Sequence, residues 1–145
     1  MLHDPHTIPE PILVLSGLTY LVPFSIALQN RRVYDSATYL FLTFTTVAFH
    51  STRYDSFFAL DCIAILNFIL RSYIISTPLS PLTRGLFSFS IAYSLISYFI
   101  GQTYAAMSFH PDWNTQMAYH SFMHLSTSYA SYRIMTDPML EKIDA

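Results

Sequence analysis

Long apolar runs recur along this chain at the length of a bilayer crossing, which constrains its fold more than any motif does. Five such runs can be counted, each near the roughly 20 residues a helix needs to cross the hydrocarbon core. The first covers about 11–28 ("PILVLSGLTYLVPFSIAL"), with Pro11 suited to a first helical turn and Pro23 expected to kink the helix. The second covers about 36–52 ("SATYLFLTFTTVAFHST"), and the third about 56–77, from "SFFALDCIAILNFIL" into "RSYIIST". After the Pro-rich link "PLSPLTRG" the fourth covers about 86–109 and the fifth about 114–135. Between them they leave little charge for a watery surface: 11% of residues are charged, against about 25% in an average soluble domain. The expected fold class is therefore all-α, an integral membrane bundle of about five transmembrane helices forming a single domain over residues 1–145.

Several function classes fall away at once. A net charge of −2 offers no basic field for nucleic acid. Cys62, the single cysteine, excludes an internal disulfide and a thiolate metal cluster. The tail "MLHDPHTIPEP" carries acids and prolines rather than a basic region, so the first apolar run is expected to stay as a span and not to be cleaved. Basic residues then set the sides. With five spans, Arg53 falls on the face of the N-terminal tail. Arg31, Arg32, Arg84, Arg133 and Lys142 fall on the other face, joined by Arg71 if it snorkels from the third helix. Six against one predicts an N-terminus outside the cell or in a lumen, and a cytosolic C-terminus.

Polar side chains inside such runs are where chemistry is expected. Ser90, Ser94, Ser97, Gly101, Ala105 and Ser108 recur every three or four residues along the fourth run, a stripe read as close helix packing. His110, Pro111, Asp112 and Trp113 read as an interfacial turn with a tryptophan anchor. In "AYHSFMH", His120 and His124 sit four apart and so share a helix face. Taken alone the pair could hold a metal or pack as hydrogen-bonded interior histidines. Thr46 and His50 in "TTVAFH" repeat the spacing, and Asp61 follows in "FFALDCIA". At 1.5 Å rise per residue, His50, Asp61 and His120 fall within roughly 10 Å of one membrane face, with His124 about a turn deeper. Three imidazoles and a carboxylate in a bilayer are costly without a partner. Three neutral histidines with an open position suit a catalytic zinc ion, with Asp61 as general base or water-orienting group and Thr46 as its hydroxyl partner. Structural readings stay open for both: an interhelical hydrogen bond for Asp61 and a back-bond to its own helix for Thr46. Axial ligation of haem by His50 with His120 or His124 is a further alternative.

The ordered set of Thr-x-x-x-His, an aspartate eleven residues on, and His-x-x-x-His in the last helix resembles the CREST superfamily. That group comprises alkaline ceramidases, adiponectin-type receptors and the myomaker/transmembrane-protein-eight family. The resemblance is closest to the last, through "VPFSIALQNRRVYDSATYLFLTFTTVAFH", "ALDCIAIL" and "DWNTQMAYHSFMH", which together cover roughly half the chain in order. It implies Zn2+ held by His50, His120 and His124, with Asp61 and Thr46 beside it. It also implies a hydrolase-like activity on an amide or ester of a membrane lipid, or a myomaker-like role in membrane remodelling with zinc as a structural ion. Those relatives have seven spans, so this chain looks shortened by about two helices between Asp61 and His120. An even loss preserves the direction of the last helix, and a homodimer is the expected compensation for the lost enclosure.

Overall fold

The computed structural model describes residues 10–140, so His3, His6 and Lys142 lie outside the described residues. Within that range the chain is all-α, with no strand among the described residues. Helix α1 (Pro11–Gly17) passes through a 3-10 turn (Leu18–Tyr20) into α2 (Leu21–Gln29). Pro23 lacks the amide hydrogen that would bond the Thr19 carbonyl, and the tightened turn lies where that bond is lost. The kink expected at Pro23 thus takes the form of a short 3-10 break. Helix α3 (Val33–Thr52) ends at Arg53, whose φ of 59° is left-handed and whose amide closes on the Phe49 carbonyl at 2.7 Å. Helix α4 covers Asp55–Ser76, α5 covers Pro81–Tyr104, and α6 covers Trp113–Met135 after a 3-10 turn at Met107–Phe109.

The third and fifth runs begin and end within one or two residues of expectation; the fourth does not. Its helix starts at Pro81, inside the link read as a turn, and stops at Tyr104 rather than near 109. Proline at the first helical position gives up only an amide that has no helical partner, and Ser80 accepts a bond from the Thr83 amide as cap. Ala105 at φ 50° then reverses the chain, and the Ala106 amide returns to the Gly101 carbonyl at 3.0 Å. Of the small-residue stripe, Ser90, Ser97 and Gly101 are buried on α5, while Ala105 and Ser108 lie beyond its end.

The chain gathers into two compact units, one ending at Ile74 and the next beginning at Ile75. In the first, α1 and α2 pack on α3, with Leu13, Ala27, Tyr39 and Leu42 buried. Phe68 of α4 stands 6.2 Å from the Tyr20 ring and 6.1 Å from the Tyr39 ring. Asp35, in the first turn of α3, takes Arg32 at 2.7 Å and Arg71 of α4 at 2.5 Å. Arg71 is thus tied to a carboxylate and sits over the Tyr34 ring at 5.2 Å. In the second unit α5 packs on α6, with Phe87, Met117 and Ile134 buried and Tyr93 set edge-on to Phe122 at 4.9 Å. Asp137, just past α6, accepts from the hydroxyls of Ser80 and Thr83, each at 2.6 Å.

Polarity is distributed the wrong way round for water. Ile63, Leu66, Leu70 and Ile74 on α4 and Phe89 and Phe99 on α5 are more than half exposed, while Thr43, Thr45, Ser72, Ser90, Ser97 and Ser131 are buried. Among the described residues, two helical stretches are long and apolar enough to cross a membrane, Pro11–Gln29 and Asp55–Ser76. Helices α3, α5 and α6 have the length, but their serines, threonines and histidines lower their mean hydropathy.

Candidate functional site

Helix α3 carries Thr46 and His50 one turn apart, so both side chains leave the same face; they are 2% and 1% exposed. Helix α4 brings Asp61 to them. The Thr46 hydroxyl donates to Asp61 Oδ1 at 2.7 Å, and the Thr45 hydroxyl donates to the same oxygen at 2.9 Å. Elsewhere on α3 the hydroxyls of Thr38, Thr43 and Thr52 bond back to carbonyls four residues earlier. Thr46 departs from that habit because a buried carboxylate is a stronger acceptor than a carbonyl already engaged in the helix ladder. Both bonds fall on Oδ1, and Oδ2 has no protein partner among the described residues.

His50 is held from a direction the motif does not contain. Its Nδ1 lies 2.8 Å from Glu10 Oε2, and the Glu10 amide donates to the His50 carbonyl at 3.0 Å. The Arg53 guanidinium bonds to that same carboxylate oxygen and lies 5.1 Å from the centroid of the Phe49 ring. Glu10, 2% exposed, precedes α1 but makes no side-chain bond to its first amides.

On α6, His120 and His124 stand with ring centroids 5.0 Å apart and nearly edge to face. His124 is buried and His120 half-buried. His50, His120 and His124 form a group that could hold a metal ion, each offering one ring nitrogen. The donor set suits zinc: all three are imidazoles, and one has its second nitrogen on a carboxylate, the usual support for a metal-binding histidine.

Ahead of α6, Asp112 caps the helix by accepting from the Thr115 amide at 2.8 Å, and the His110 ring accepts from the Asp112 amide at 3.0 Å. Bonds from the Thr115 amide and hydroxyl hold the Asp112 carboxyl below the usual carboxylate range. Trp113 begins α6 about half exposed.

The motif residues therefore fall into a hydroxyl–carboxylate pair, Thr46 with Asp61, and a three-histidine group. Thr45, Glu10 and Arg53 are additions from the structure. Glu10 left one trace in the sequence: an acid set directly before the proline that opens an apolar run. No protein-family model, curated protein or solved structure matches the chain, so the functional reading stands on these side chains and on the motif resemblance alone.

Proposed function

We propose that this protein is an integral membrane, zinc-dependent hydrolase that cleaves an amide or ester of a membrane lipid. The observation that carries the reading is the three-histidine group in a largely apolar chain, with the second ring nitrogen of His50 set against the Glu10 carboxylate. Exposed apolar side chains over buried hydroxyls support lipid as the surrounding solvent, with all five helical rods crossing it, the N-terminus outside or lumenal and the C-terminus cytosolic. His50, His120 and His124 would hold the ion, which supplies Lewis acidity to a lipid carbonyl and makes a nearby water acidic enough to react near neutral pH. Asp61 would take that water's proton on Oδ2 as the water oxygen bonds to the carbonyl carbon, while Thr45 and Thr46 steady the carboxylate through Oδ1. As the C–N or C–O bond breaks, the proton passes from Asp61 to the leaving amine or alcohol, and a fatty acid is released. A homodimer would complete the enclosure of the lipid.

Purified protein is expected to carry about one zinc per chain, lost in His50→Ala and in His120→Ala. Folded wild-type protein that binds no zinc would end the proposal. A second reading, in which zinc is structural and the protein remodels membranes, is favoured by the two interhelical bonds to Asp61, which would serve a purely structural carboxylate equally well. Asp61→Asn separates the two. Zinc and fold survive under either, but a biological activity that also survives belongs to the structural reading.

A further inference from the structure

We propose that Glu10 is a positioning residue for His50, setting which ring nitrogen is offered to a metal; the inference rests on the zinc reading above. An ionised carboxylate only accepts hydrogen bonds. Glu10 Oε2 also takes the Arg53 guanidinium, which can only donate, so this oxygen acts as an acceptor and the hydrogen in the 2.8 Å contact belongs to His50 Nδ1. That choice of tautomer puts the lone pair on Nε2, the nitrogen that would face a metal. The backbone reinforces it, since the Glu10 amide reaches the carbonyl of His50 itself at 3.0 Å. Side chain and main chain of one residue thus grip side chain and main chain of another forty positions away.

Helix capping does not account for the carboxylate. Glu10 occupies the cap position of α1, where an acidic side chain ordinarily accepts from the first amides, and it makes no such bond. It turns instead towards His50 and Arg53, with 2% of its surface exposed. A buried carboxylate drawn from its own helix to an imidazole is the arrangement that orients metal-binding histidines, and losing such a partner typically costs ten- to a hundredfold in metal affinity.

The test uses the full chain in detergent, with zinc alone as the probe. In metal-free wild-type protein labelled with 15N-histidine, the His50 signals, assigned by their loss in His50→Ala, should show a protonated Nδ1 and a bare Nε2. The opposite tautomer overturns the proposal, and this arm requires no variant at Glu10. Zinc competition should then show affinity falling about tenfold in Glu10→Gln, which keeps an acceptor but loses the charge, and towards a hundredfold in Glu10→Leu. A merely structural role would lower the melting temperature and leave zinc affinity unchanged, which also overturns it. Absence of zinc from wild-type protein overturns the zinc reading, whereas zinc bound equally by all three proteins overturns the Glu10 role alone.

Discussion

Asp61 is the residue on which chemistry and architecture meet. Removing the Thr46 hydroxyl in Thr46→Val leaves a buried carboxylate one donor short, which is expected to cost about 1–3 kcal/mol in a chemical melt. Thr45 still holds Oδ1, so the double replacement Thr45→Val/Thr46→Val should cost more than either alone and, under the hydrolase reading, abolish turnover. Of this cluster, Thr46, His50 and Asp61 were legible because spacing and the expense of polar groups in lipid single them out. Thr45 was not: neighbouring positions on a helix diverge by about 100°, and only the approach of α4 brings both hydroxyls to one oxygen. Glu10 was hidden by its setting in an acidic, proline-containing tail and by a partner forty residues away. No local pattern encodes that distance.

Among the elements, the contact of α1 with α3 is the tightest constraint on the site. A Cβ built at Gly17 would come within 2.9 Å of the Thr46 methyl carbon, closer than side chains pack. Thr46 is β-branched and stiff about its first torsion, so a displaced methyl carries the hydroxyl with it. Gly17→Ala is therefore expected to destabilise the protein by about 1–3 kcal/mol and to weaken the Thr46–Asp61 bond. The check is a melt of Gly17→Ala in both wild-type and Thr46→Ser backgrounds, the smaller serine relieving most of the cost. At the other end of the chain, Asp137 is held down to about 2. Burial opposes its ionisation, but the Ser80 and Thr83 hydroxyls and the Met139 and Ser80 amides outweigh burial. Since the folded value lies below the unfolded one near 3.9, its stabilisation is complete above about pH 4 and is lost as pH falls towards 2. Asp137→Asn should flatten that acid limb of a stability–pH curve and leave the neutral region lower by about 1–3 kcal/mol. The helical rods themselves were legible from apolar runs alone, except at the two ends of α5. Proline-rich links read as breaks, yet Pro81 is a first-turn proline with a serine cap, and only the Ser80–Asp137 bond shows why the helix starts there.

For the molecule as a whole, the proposed five-span topology and the proposed zinc site can each be tested. An odd number of crossings puts the two ends of the chain on opposite faces, so protease protection in sealed vesicles should shield one terminal tag and expose the other. Shielding of both would count against five spans. Zinc must compete with protons for imidazole, whose unperturbed pKa is about 6.5. Zinc-derived stability should therefore be present at pH 7.5 and fade as acid protonates the ligands, giving a chelator-induced drop in melting temperature at pH 7.5 that disappears near pH 4.5. A drop of the same size at both pH values would exclude imidazole ligation.

The bonds from Asp137 to Ser80 and Thr83 have a consequence for biosynthesis. The donors lie at the start of α5, 57 and 54 residues before their acceptor. A ribosome makes α5, the reversal at Ala105 and all of α6 before it reaches that carboxylate. Until then the cap of α5 lacks the partner that closes the hairpin at that end. Residue 137 acts as a late latch, completing the second unit only when its last helix has been made. Nascent chains stalled with residue 137 still inside the ribosome should therefore expose α5 to protease, and chains carrying a C-terminal extension long enough for residue 137 to emerge should not.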